Sequence, residues 1–318
     1  MLVDIQVVAL GRVLNTAKTM DSQDWGLLVL LSILWGGAYF FAGVAIGDLP
    51  PLTVVLARVS LAALVLLPLF WYARHSMPRS ATEWLPFFGM GLLNNVIPFG
   101  LIFFGQTTIS VGLSSIINAM TPLCTVLVMA GFRQEQLTVN RVVGVLLGVA
   151  GVAVLWGIDG PVDAGQTLGI VLCLGAALSY GFAALWGRKF LTGVAPVKSA
   201  TCQLLCSTLI MVVVVSVIDQ PWTLDAPGLQ TVWALIALAV FGTAFAYIVF
   251  FKILVSAGPS NVMLVTLLIP VTALILGNLF LNESIQIKEI LGALIIGIGL
   301  LFIDGRLINR LLNRFIHK

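Results

Sequence analysis

Apolar runs of about 17 residues or more recur from Trp25 almost to the C-terminus, separated only by short stretches of Gly, Pro and charge. No other feature restricts the fold as strongly. About 20 apolar residues cross the hydrocarbon core of a bilayer as a helix, because a helix satisfies each backbone N–H and C=O within itself. Charged residues make up 9% of the 318, against about 25% in a soluble domain, too few to build a water-facing surface. The short alternating segments of a transmembrane β-barrel do not occur. The chain therefore reads as an all-α membrane protein.

Ten transmembrane helices are expected, at 25–46, 52–71, 84–104, 110–132 and 142–158, then at 168–186, 199–218, 229–251, 259–281 and 290–303. Connections such as Gly47–Pro51 and Gly105–Ile109 are short enough to make successive helices antiparallel neighbours. Fourteen Lys and Arg fall in segments on the side shared by both termini, and one, Lys288, on the other. That bias places both termini in the cytoplasm and the protein in the cell's inner membrane. Four segments follow: an N-terminal cytoplasmic extension at 1–24, five-helix units at 25–158 and 159–305, and a basic cytoplasmic tail at 306–318. Asp4 and Arg12 make residues 1–19 a poor signal peptide, while Met20-Asp-Ser-Gln-Asp24 looks like an ordinary chain start. In the tail, Arg306, Arg310 and Arg314 beside Leu307, Leu311 and Phe315 suit a helix lying on an anionic membrane surface.

The two five-helix units resemble each other. An offset of 148 residues places Pro122 on Pro270, Phe132 on Phe280, Glu135 on Glu283, Gly144 on Gly292 and Gly151 on Gly299. An offset of 147 places Phe103-Phe104 on Phe250-Phe251, and one of 145 places Pro51 on Pro196. Five is an odd number, so the second unit must enter the membrane upside down. That is the inverted repeat in which a midplane site alternates its exposure.

Five plus five spans, Trp35-Gly36 in the first, Arg58 in the second, and Pro122…Glu135 repeated as Pro270…Glu283, resemble the EamA-like branch of the drug/metabolite transporter superfamily. The resemblance runs over residues 25 to 305 and is similar in kind to aromatic amino-acid exporters of that branch. It implies export of amino acids and other small metabolites. It also implies a central cavity lined by the first, third, fourth, sixth, eighth and ninth helices.

Candidate substrate-binding residues come from polar and aromatic groups deep in the spans. Ser114, Asn118, Thr121 and Thr125 form one stripe on an expected continuous helix, roughly 16 Å long. Pro122 within it frees a carbonyl one turn back that protein or water must satisfy. Trp35 and Tyr39 share a face of the first span, Asn94 and Asn95 precede Pro98 in the third, and Ser179 and Tyr180 lie in the sixth. Thr243 and Tyr247 share a face of the eighth, and Thr266 holds the repeat position of Asn118. For each hydroxyl or amide the competing reading is a hydrogen bond between helices, worth about 0.6 kcal/mol. Asn94 and Asn95 are adjacent, so at least one of them should be structural.

Arg58 is the one charge well inside a span, roughly 9 Å from its helix end. Unpaired, it costs about 2.5–3.5 kcal/mol on insertion scales. Two readings stay open: a ligand for a substrate carboxylate, or a structural tie to carbonyls or solvent. Its repeat position, Gln203, is also polar.

Several chemistries lack their residues. No Asp or Glu falls well inside a span, which disfavours exchange of cationic drugs for protons. No phosphate-binding G-x-x-x-x-G-K-[ST] loop and no metal-ligand cluster is present, so no cofactor is expected. The four cysteines lie in spans and carry no disulfide argument. Gly144, Gly148 and Gly151 read as close helix packing. The expected function is a non-enzymatic secondary transporter of small neutral or zwitterionic metabolites, amino acids among them. Its partners are the substrate and the bilayer, with no nucleic acid, and oligomeric state is not readable. The alternative is a membrane enzyme on lipid-linked substrates, for which Asp159/Asp163 and Asp219/Asp225 are the nearest acidic pairs.

Overall fold

The computed structural model describes residues 20–157 and 163–304. The expected extension up to Thr19, Asp159 and the basic tail lie outside the described residues. Within them the fold is helical and no strand occurs. Helices α1 (Ser22–Ala45) and α2 (Pro51–Tyr72) come first. A long third helix follows, in three parts: α3 (Ala81–Gly91), a π segment (Leu92–Val96) and α4 (Ile97–Gly105). Then come α5 (Val111–Asn118), α6 (Thr121–Gly131), α7 (Val139–Trp156), α8 (Ala164–Phe190) and α9 (Pro196–Ile218). The second unit continues with α10 (Leu229–Ala239), a second π segment (Val240–Phe245) and α11 (Ala246–Ser256), which run on as one helix. It ends with α12 (Pro259–Val262), α13 (Val265–Leu281) and α14 (Ile287–Asp304). Eight stretches, with Val111–Gly131 counted as one across the α5–α6 break, are long and apolar enough to cross a membrane, and α13 is a shorter apolar helix.

Local chemistry sets the helix starts. Asp21 accepts from the Asp24 amide at 2.8 Å while Asp24 reaches back to the Asp21 amide, a reciprocal cap on α1. Ser110 caps α5 through the Leu113 amide at 3.0 Å, and Asp163 caps α8 through Gln166. α2 and α9 open on prolines, whose missing N–H costs nothing in a first turn.

Two expected spans are not continuous helices. The fourth breaks at Ala119–Met120, because Pro122 has no N–H to give the Asn118 carbonyl. The Thr121 hydroxyl donates to that carbonyl instead, at 2.7 Å. The ninth breaks at Met263–Leu264, where the Thr266 hydroxyl bonds the Met263 carbonyl at 2.7 Å.

Repeat-related helices pack against each other in opposite directions. A Cβ on Gly144 would lie 2.6 Å from the Gly299 carbonyl oxygen, and one on Gly151 would lie 3.0 Å from that of Gly292. Each glycine thus faces the repeat counterpart of the other, so α7 and α14 cross antiparallel with backbones in near contact. α2 and α9 do likewise: the amide and hydroxyl of Thr53, at the start of α2, donate to Asp219, at the end of α9, at 2.8 and 2.7 Å. The start of α5 meets the end of α13, where Glu283 accepts from the Val111 amide at 2.8 Å and, more weakly, from that of Gly112.

The Asp219 and Glu283 contacts gather at one end of the bundle, which Asp48 joins by accepting from the Thr231 hydroxyl, and Glu289 by accepting from Ser110. Asp219 is therefore a link between the two units and not the solvated loop residue its surroundings in sequence suggest. At the opposite end Glu135, the repeat counterpart of Glu283, pairs with Arg141 and Arg188.

Candidate functional site

Two π segments shape the centre of the bundle. Their first residues, Leu92 and Val240, are separated by the same 148 residues that superpose the two halves. The first has a visible cause. With Ile97 bonded five residues back to Leu92, the next amide in the register would come from Pro98, which has none. The orphaned carbonyl of Leu93 instead accepts from the Ser179 hydroxyl on α8, at 2.7 Å. Ser179 thereby ties α8 to the wide turn that presents Asn94 and Asn95.

The second π segment carries Thr243, 99% buried. Its hydroxyl donates to the Leu238 carbonyl at 3.1 Å and accepts from Arg58 Nε at 3.0 Å. Arg58 on α2 is itself 8% exposed, and its guanidinium carbon sits 3.7 Å from the ring centre of Phe99 and 5.8 Å from that of Phe103. Stacking of this kind is worth about 2 kcal/mol when desolvated. Arg58 therefore does not snorkel; α2, α4 and the second π segment hold it in place.

Three of the chain's four tyrosines, Tyr39, Tyr180 and Tyr247, pack against the same apolar core as Phe99 and Phe103, the rings that flank the guanidinium. All three are half-buried. Asn94 Nδ2 lies 3.3 Å from the Tyr247 hydroxyl and at the long limit, 3.5 Å, from Gln203 Oε1. Asn95, fully buried, donates to Ser207 at 2.9 Å. Asn94 is half-buried, whereas the buried Asn95 bridges α9 and the Tyr247 hydroxyl, from which its Oδ1 accepts at 3.4 Å. Trp35 is half-buried against Phe250, with ring centres 5.5 Å apart.

The stripe on the fourth span is divided by the helix break. Ser114 is fully buried and meets Cys173 of α8, whereas Asn118 and Thr121 are half-buried and bonded to each other across the break. Thr266 is half-buried and spends its hydroxyl on Met263. Thus Tyr39, Tyr180 and Tyr247 pack on the core beside Arg58 and Thr243, with Asn94 and Asn95 both at the Tyr247 hydroxyl, while Ser114, Ser179 and Thr266 make local or interhelical bonds. Sequence reasoning missed Phe99, Phe103 and Ser207. The first two stand four apart on one helix face, in an aromatic-rich span where that spacing is no signal.

A groove of about 530 Å³ opens elsewhere, on the outside of the bundle between α2 and the second π segment. Val65, Pro68, Leu69, Phe241 and Phe245 line it, an apolar surface facing where lipid tails would lie.

The profile of the EamA-like transporter family matches this chain twice, over residues 25–157 and again over 167–304. The chain belongs to the EamA-like transporter family. Two relatives from Bacillus subtilis (strain 168) carry the names "Uncharacterized transporter YoaV" and "Uncharacterized transporter YvbV". The first is 24% identical over 86% of this chain and 94% of its own, the second 27% identical over 85% and 88%. A solved crystal structure with 18% identity superposes at a TM-score of 0.63, covering 90% of this chain and 97% of that one, which establishes a shared fold. The EamA-like protein is accordingly a multi-pass membrane transporter, built from a duplicated unit, of the drug/metabolite transporter superfamily.

Proposed function

We propose that this EamA-like protein is a secondary transporter of small neutral or zwitterionic metabolites, including amino acids with apolar or aromatic side chains. It works by alternating access between two inverted five-helix halves. The observation that carries this reading is the half-buried set Tyr39, Tyr180 and Tyr247, drawn from both halves and packed against the core beside Arg58, with Asn94 at the Tyr247 hydroxyl. Aromatic faces suit an apolar side chain, and phenol and amide groups suit a substrate's polar end. Counterpart helices crossing antiparallel, α7 with α14 and α2 with α9, support the inversion. The strong bias of basic residues supports cytoplasmic termini in the inner membrane. Export, as opposed to uptake, rests on the resemblance to amino-acid exporters.

Counterflow in proteoliposomes tests this directly. Vesicles loaded with one unlabelled amino acid should accumulate the same labelled amino acid transiently, without a pH gradient. Absence of protein-dependent accumulation across an amino-acid panel, from folded protein, refutes the substrate class.

A further inference from the structure

Arg58 has five N–H donors, and the structure accounts for one of them. Nε is spent on Thr243, and the flat face is spent on Phe99. Among the described residues, no hydrogen bond and no carboxylate pairing reaches the two terminal amino groups. They are not sealed away either: the buried, unpartnered side-chain atoms of the described residues are Gln106 Oε1 and Thr201 Oγ1. An arginine that is 8% exposed thus keeps four donors unspent beside a core, holding Phe99 and Phe103, against which three tyrosines pack. A purely structural tie would not need this arrangement, because the Thr243 bond and the Phe99 stack use neither terminal amino group. A guanidinium held by its Nε edge and face presents the remaining edge as a fork, the geometry that matches a carboxylate.

We propose that Arg58 is the anion anchor of the transport site. It takes the carboxylate of a substrate whose flat apolar part lies against Tyr39, Tyr180 and Tyr247. The assignment rests on the transporter reading above and adds the chemical class: a monocarboxylate joined to an apolar or aromatic group. One buried positive charge balances one carboxylate. A phosphate would require a second cation, and the other cations of the described residues stand near helix ends, as Arg141, Arg188, Lys198 and Lys252 do. A buried, unpaired charge is costly, and a bound carboxylate offsets that cost.

The test uses the full chain in proteoliposomes and three competitors of labelled L-phenylalanine counterflow. L-phenylalanine has both charged groups, 3-phenylpropanoate keeps only the carboxylate, and L-phenylalaninamide keeps only the amine. Wild type should be inhibited by phenylalanine at least about tenfold more strongly than by the amide. Inhibition by 3-phenylpropanoate shows that the carboxylate and ring suffice; its failure, with the amide also weak, means the amine is read as well and leaves the anchor standing. Arg58→Gln should lose about 10- to 100-fold in affinity for phenylalanine and none for the amide. Arg58→Lys, which keeps the charge but not the fork, should fall between.

Equal inhibition by acid and amide in wild type, or undiminished discrimination in Arg58→Gln, overturns the anchor while the transporter reading stands. If Arg58→Gln does not fold, the wild-type competitors and Arg58→Lys decide. If wild type shows no counterflow of phenylalanine, the substrate reading falls. The melting temperature of the detergent-solubilised protein with the same three compounds then decides Arg58 alone: stabilisation by the acids and not the amide supports it, and equal or no shifts overturn it.

Discussion

Asp219 caps a helix that is not its own. The residue before α2 is Pro50, which has no side-chain oxygen to offer, yet the amide of that helix's third residue, Thr53, is paired with the Asp219 carboxylate from the other half. The same carboxylate takes the Thr53 hydroxyl. Asp219→Ala removes both bonds and an anion from a helix N-terminus. A lost cap costs about 1 kcal/mol, and the lost charge adds about 0.3–1 kcal/mol before screening. Both partners are half-buried, so about 1.4 kcal/mol in all is a fair expectation, a factor of about 10 in the opening equilibrium. Amide exchange in the purified protein should therefore be about tenfold faster at Thr53 in Asp219→Ala. Asp219→Asn keeps an acceptor and should show a smaller change. The amides of Val111 and Gly112, capped by Glu283 at the same end, report whether the links act together. If they also quicken, this end of the bundle opens as a unit. Unchanged protection at Thr53 in Asp219→Ala refutes the reasoning, because the carboxylate would then contribute nothing to closing the two halves.

Other expectations follow from single contacts. Gly151→Leu should lower the melting temperature and the folded yield, because its Cβ alone would meet Ile296 at 2.6 Å and overpacking costs about 1–3 kcal/mol; Gly26→Ala, with nothing within 4 Å, should be neutral in the same assay. Ser179→Ala leaves the Leu93 carbonyl without its donor and should cost about 1 kcal/mol of stability, read as a lower thermal midpoint. Thr243→Val removes the acceptor for Arg58 Nε and should weaken counterflow of a carboxylate substrate several-fold, with Thr243→Ser restoring it.

What the sequence made legible depended on how far each signal reached along the chain. Span positions, the duplication and the lone deep charge at Arg58 are local or periodic, and each can be read without knowing a neighbour. The glycines of α7 were readable as packing residues because small residues at helical spacing have one common use in membranes. The break at Ala119–Met120 was half-visible: Pro122 announced a freed carbonyl, but not that Thr121 would satisfy it by ending one helix and starting another. The π segments had weaker signals still. Pro98 hints at the first, whereas nothing in Val240–Phe245 distinguishes it from its neighbours. The pairings of Asp219 with Thr53 and of Arg58 with Phe99 join residues from distant segments, which no spacing rule connects.

The duplication makes the charge at Arg58 a question of symmetry. Offsets of 145 and 148 residues carry Arg58 onto Gln203, Thr243 onto Asn95, and Phe99 onto Tyr247. The counterpart of the Arg58–Thr243–Phe99 junction is therefore Gln203 with Asn95 and Tyr247, and Asn94 indeed approaches both Gln203 and Tyr247 there. Two related junctions flank one centre, and only one is charged. Were they energetically equivalent, a substrate could bind in two orientations with equal ease; the single guanidinium removes that degeneracy. Moving the charge, with Arg58→Gln and Gln203→Arg in one chain, places an arginine where Asn95 can accept from Nε and Tyr247 can offer its ring. The double variant should recover part of the carboxylate discrimination that Arg58→Gln alone loses, measured by the same acid and amide competition. Recovery would mean that the fold supplies two equivalent cradles and that sequence chooses which one is charged. No recovery, from a folded double variant, would mean that the Thr243 and Phe99 contacts are specific to Arg58 and that the halves have diverged at the site itself.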